Sequence, residues 1–173
     1  MRKSLEKRFS FLFSGELIAA VMFIFVSMMV NQSHPELHLY SLFSFWASFL
    51  FLEFLLVQGS SYWFSKWRRL KKENLSVTPK KVVGLFWKLK RLNIVLIILI
   101  PFAFMADFMR WNWALPIDGL SLSCFIYLFA LLEYINYFHL QLSYDNRSDL
   151  EYLRRTKRLK KSSLNRDFML LKK

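Results

Sequence analysis

The chain has 173 residues, of which 55% are hydrophobic and 18% aromatic, with only 4 Gly and 4 Pro. That length suits one compact domain, and the single cysteine, Cys124, excludes an intramolecular disulfide and any four-cysteine zinc site. A net charge of +13 would point to nucleic acid in a water-borne protein, but here the placement of the charge decides otherwise.

Arg2, Lys3, Lys7 and Arg8 precede an apolar stretch over 9–30, interrupted only by small polar residues and Glu16. The stretch is too long for a signal-peptide core, and no small-x-small cleavage site follows before Asn31, which predicts an uncleaved first span. A polar turn over 31–36 holds Pro35, suited to the first turn of a helix, and a second span follows over 38–63 with one charge, Glu53. The segment 65–91 is basic, and its Arg68, Arg69, Lys71, Lys72, Lys80, Lys81 and Lys88 are expected at the membrane surface. Within it Thr78-Pro79 reads as a helix start, with Thr as N-cap and Pro at N1. Val82, Val83, Leu85, Phe86 and Leu89 mix there with lysines, which predicts either an amphipathic surface helix or the lower end of the next span.

The third span covers 92–109 and contains Pro101, which predicts a kink. A short loop over 110–118 leads to the fourth span, 119–142. Ser148-Asp149-Leu150-Glu151 has capping-box form and predicts a helix start in the tail. Leu164, Phe168 and Leu171 recur there at helical spacing, a face expected to adhere to the membrane or to a protein partner. The fold class read from these elements is all-α: a four-helix transmembrane domain over 1–145 and a basic cytoplasmic helical tail over 146–173.

Charge gives this hydropathy pattern an orientation. Of 25 Lys and Arg, 24 lie in the N-terminus, the 65–91 segment and the tail; only Arg110 lies on the other side. The positive-inside rule then predicts an inner (plasma) membrane protein with both termini cytoplasmic. Trp63, Trp67 and Trp87 fall at the inner interface of this arrangement, and Trp111 and Trp113 at the outer one. Basic loops of this kind are expected to meet the anionic headgroups of the bilayer, and the nucleic-acid reading loses its main argument.

Ionisable residues at membrane depth are costly, so each is a functional candidate. Glu53 lies 13 residues from Lys66 and Glu133 lies 12 from Asp145, placing both roughly 18–20 Å from those markers, near mid-membrane. Glu16 belongs to the inner leaflet, and Asp107, near the outer surface, is expected to pair with Arg110 at i+3. Glu133, Asn136 and Tyr137 share one face of the fourth span, with His139 on another. Glu16, Glu53, Glu133, Asn136, Tyr137 and His139 form the expected intramembrane polar core. It serves either to fix helix packing or to receive a cation, a proton, a polar substrate or a basic group of a partner helix.

The sequence carries no catalytic constellation: no Gly-rich phosphate loop, no G-x-S-x-G elbow and no HExxH. His34 and His38 have i, i+4 spacing, a weak metal signal without a third ligand, and no cofactor is expected. The block Glu133 to Asp149, EYINYFHLQLSYDNRSD, with the basic tail after it, resembles the end of small four-span bacterial inner-membrane proteins. These generally carry no assigned activity, and some bear generic stress-protein labels; the resemblance implies an inner-membrane location and supplies no catalytic residues. The leading expectation is a non-enzymatic accessory, regulatory or assembly subunit that binds a membrane-protein partner or a second copy of itself. A small oligomeric transporter or ion- or proton-conducting protein using Glu53 and Glu133 is the alternative, and a lipid-modifying enzyme ranks third.

Overall fold

The computed structural model describes residues 2–75, 78–142 and 147–171. Four long helices dominate: α1 (Arg2–Ser33), α2 (Phe43–Glu73), α3 (Lys80–Trp111) and α4 (Ile117–Phe138). Two short helices follow in the tail, α5 (Arg147–Thr156) and α6 (Ser163–Leu171). All four long helices are long and apolar enough to cross a membrane, so the chain is an all-α, four-helix membrane protein.

The centre of the bundle is α2. Its apolar window is 61% buried, against 11%, 17% and 22% for α1, α3 and α4. The reason is in its residues: Ser44, Ser48, Gly59 and Ser60 are small and buried, and they let the neighbouring helices approach closely. α1, α3 and α4 each pack along α2, whereas α1 and α4 make no extended contact with each other. The outward faces of α1, α3 and α4 carry Phe11, Met29, Ile98, Phe102, Phe108 and Phe125, all exposed, as lipid-facing helices require.

Polar groups tie α3 to the bundle. The side chains of Gln58 and Asn93, both buried, exchange two amide hydrogen bonds of 3.1 and 3.0 Å between α2 and α3. Helix α3 continues unbroken through Pro101. Pro101 has no N–H to give to the carbonyl of Ile97, one turn back. The Tyr127 hydroxyl of α4 donates to that carbonyl instead, at 2.8 Å. Backbone groups orphaned inside a membrane need such a partner, so Tyr127→Phe is expected to lower stability by about 1–2 kcal/mol. Thermal melting in detergent checks this, and an unchanged midpoint would contradict it.

The end opposite the basic segments differs from expectation at two points. Pro35 opens a 3-10 turn (Pro35–Leu37) that stops at His38, which takes the left-handed conformation with φ 47°, and α2 begins only at Phe43. Asp107 does not serve Arg110: its two carboxylate oxygens accept the backbone N–H groups of Phe43 (2.9 Å) and Ser44 (2.7 Å). The acid is thus an N-cap for α2 supplied by α3, where the N-cap residue Leu42 has no side chain able to do so. Arg110 donates to the Ser41 carbonyl at 3.2 Å and lies over the Phe43 ring.

At the other end, the basic segment is the continuation of two helices. α2 at about 1.5 Å per residue exceeds the roughly 30 Å of hydrocarbon, so its last turns, like the first of α3, extend past the apolar layer. Arg68, Lys71, Lys72, Lys80, Lys81 and Lys88 are exposed there, and Arg69 pairs with Glu73 at 2.8 Å. Pro79, not Thr78, is the N-cap of α3. The tail returns through backbone bonds from Gln141 N–H to the Lys160 carbonyl (2.8 Å) and from Ser162 N–H to the His139 carbonyl (3.1 Å). These deliver α6 onto α3 and α4, with Leu164 and Phe168 buried. The apolar face expected to adhere to a membrane or partner is therefore spent on the protein's own bundle. The capping box at 148–151 falls largely on side chains outside the described residues.

Candidate functional site

A cavity of about 630 Å³ lies at the basic end of the bundle, between α1 and α4, with α2 behind it and α6 beneath. Helical spacing builds each wall. Leu5, Phe9, Leu12 and Glu16 line it from α1, Gln58, Gly59, Tyr62, Trp63 and Lys66 from α2, and Glu133, Asn136 and Tyr137 from α4. The first wall is held by Phe9 stacked on Trp63, with ring centroids 5.7 Å apart. Further along, Phe23 of α1 meets Phe129 of α4 edge-on, at 6.1 Å. The lining runs no further from the basic end than Glu16, Gln58 and Glu133, so the cavity lies in the half of the bundle next to the basic segments.

Its deep end is acidic. The Tyr137 hydroxyl donates to the Glu16 carboxylate, bridging α4 and α1. Glu133 lines the same space and is near enough to act on both groups electrostatically. Asn136 lies 3.4 Å from the Glu133 carboxylate through Nδ2, while its Oδ1 accepts the Leu142 N–H at 2.8 Å. The start of the tail thus fixes which way the amide faces.

Its shallow end is a charged knot. Asp167 of α6 takes the Tyr62 hydroxyl (2.7 Å), the Thr78 hydroxyl (2.5 Å) and the Lys66 ammonium (3.2 Å) on one carboxylate oxygen. Lys66 also donates to Ser163 at 2.7 Å and sits 4.8 Å from the centre of the Tyr62 ring. Both charged side chains are nearly buried, at 7% and 11% exposure, so the pair is poorly screened. The hydroxyl of Thr78, expected to cap α3, is instead a fastening for α6.

Of the residues the sequence nominated, the structure brings together Glu16, Glu133, Asn136 and Tyr137. Glu53 does not line the cavity; it is half-buried on α2, with one carboxylate oxygen buried and unbonded. His139 is exposed, its ring against Tyr134, and what it contributes is its carbonyl, which accepts from Ser162 and Asn165. His34 bonds Glu36 at 2.9 Å and His38 stacks near Trp111, so the two flank a 3-10 turn and share no helix face. Among the described residues no three His, Cys, Asp or Glu group together. The residues that sequence reasoning missed are Tyr62, Lys66, Thr78, Ser163 and Asp167. The one available signal was Asp167, the sole acid in the apolar tail helix, directly beside Phe168.

No family model, curated protein or solved structure matches this chain. The site offers carboxyls and hydroxyls at depth and, toward the basic end, cations, among them Lys66 bonded to the Ser163 hydroxyl. Such a set binds polar or charged groups by hydrogen bonding and charge.

One position tests the geometry sharply. A Cβ on Gly59 would stand 2.5 Å from Tyr137 Cζ and 2.6 Å from its hydroxyl oxygen. Gly59→Ala must therefore push the buried Tyr137 ring aside and separate its hydroxyl from Glu16.

Proposed function

We propose that the protein is a non-catalytic binding subunit of the inner (plasma) membrane, with both termini cytoplasmic, acting as an accessory or regulatory component through the cavity. The observation that carries this reading is a polar cavity at the basic end of the bundle, lined by α1, α2, α4 and α6. A cavity whose lining goes no deeper than Glu16, Gln58 and Glu133 suits holding a group better than passing one through. The concentration of Lys and Arg at the cavity's end supports a cytoplasmic mouth.

Purification in mild detergent followed by mass spectrometry tests it, comparing the wild type with Gly59→Ala. The expected result is a bound component that stays with the wild type through two chromatographic steps and falls at least about tenfold with the variant. Recovery of wild-type protein alone, as a discrete homodimer with an empty cavity, would overturn the reading.

A second reading, proton or cation transport, draws on the Glu16–Tyr137 bond beside Glu133. It requires flux in liposomes that depends on pH and disappears in Glu133→Gln. Liposomes that move nothing reject it.

A further inference from the structure

The cavity is electrically lopsided, and the two ends lie far enough apart to be read separately. Glu16 and Glu133 mark the deep end, whereas Arg8, Lys160 and Arg166 line it toward the mouth. Arg8 and Glu16 are on one helix, eight residues or about 12 Å apart along its axis. The Glu16 carboxylate lines this space while one of its oxygens accepts the Tyr137 hydroxyl across it. A simple cation would meet the basic mouth first, and a simple anion would meet two carboxyls at the bottom. A group that carries both charges, cation leading, matches both ends.

The deep end is suited to an ammonium with N–H groups. Two carboxyls and the Tyr137 hydroxyl oxygen offer acceptors around one space, while the Asn136 amide turns its Nδ2 donor to Glu133. The middle is apolar and aromatic, from Phe9, Trp63 and Phe138. Helices α1 and α4 pack mainly on α2 and meet each other through side chains, Tyr137 with Glu16 and Phe23 with Phe129.

We infer that the cavity is a site for a primary-amine phosphate group, the ammonium seated between Glu16 and Glu133 and the phosphate toward Arg8 and Arg166. The chemistry is shared by an aminophospholipid headgroup and by a free aminoalkyl phosphate. This inference rests on the cavity being a binding site, and it specifies the ligand.

The test is native mass spectrometry of full-length protein delipidated in detergent. It is then offered, in separate arms, a primary-amine phospholipid, its N-trimethyl counterpart, an anionic phospholipid lacking an amine, and a water-soluble aminoalkyl phosphate. Expected is retention of the primary-amine lipid at least about tenfold above the other two lipids, lost in Glu16→Gln and in Glu133→Gln. Arg8→Gln is expected to weaken it while leaving the preference for the amine. Binding of the soluble compound in place of the lipid supports the same site with a free ligand as its source. Equal retention of all three lipids, or retention unchanged in both Glu variants, overturns the inference. Thermal melts confirm that each variant is folded, and Asn136→Leu, which alters no charge, gives an independent deep-end lesion if either Glu variant is not. If no arm binds while the Gly59-sensitive component still co-purifies, the ligand assignment fails and the binding-subunit reading stands.

Discussion

Replacing Asp167 with Ala is expected to detach α6 and to cost about 3–5 kcal/mol, because it leaves the Lys66 ammonium buried without its counter-charge. Three donors converge on that one carboxylate oxygen, from Tyr62, Thr78 and Lys66, so no single replacement bond compensates. The amide in Asp167→Asn keeps an acceptor for the hydroxyls but not the charge, and a smaller loss is expected. The double variant Lys66→Met with Asp167→Leu should recover much of the deficit, since a buried ion pair replaced by apolar residues of similar volume is often neutral. Limited proteolysis reads the detachment directly, since release of α6 opens the chain near Lys160, Lys161 and Arg166 to trypsin. Cleavage at the wild-type rate in Asp167→Ala would contradict the fastening.

The second large effect is at the opposite end. Asp107→Ala removes the acceptor for two backbone N–H groups at a point where Asp107 and Ser44 are both fully buried. An ordinary exposed N-cap is worth about 1 kcal/mol. Here two charge-assisted bonds are lost and water cannot replace them, so about 3 kcal/mol is expected. Asp107→Asn, with one acceptor oxygen in place of two, should fall between. Arg110→Ala should cost under about 1 kcal/mol, because its bond to Ser41 is exposed. Denaturation of the three variants in one detergent ranks them, and an Arg110→Ala effect equal to that of Asp107→Ala would restore the local ion pair as the explanation.

These two residues also mark where the sequence was legible and where it was not. The four apolar runs and the segregation of basic residues are properties of one strand of text, and the four spanning helices follow from them. The polar face of α4 was legible for the same reason: Glu133, Asn136 and Tyr137 stand at i, i+3 and i+4. Their partner was not. Glu53 shares the depth of Glu133, but depth says nothing of azimuth, and it is Glu16 on α1 that meets Tyr137. Asp107 has Arg110 three residues away, and the local pair was the economical reading. It lost because the first N–H groups of α2 are 64 and 63 residues away in sequence, a demand visible only after folding. Pro101 shows the same limit. Its missing donor was legible, while the Tyr127 hydroxyl that satisfies the orphaned carbonyl was not. The apolar face of the tail helix was read as meeting the membrane or a partner, whereas its Phe168 packs on Phe138 and Trp87 of its own chain.

The central claim is that Glu16, Tyr137, Glu133 and Asn136 face one cavity at the basic end of the bundle. Cysteine accessibility measures it most directly. In a Cys124→Ala background, Asn136→Cys should react with a membrane-impermeant maleimide added on the side that carries the N-terminus. It should be protected from reagent on the other side, where Arg110→Cys should react. Labelling of Asn136→Cys from the Arg110 side, or from neither side, would contradict the account.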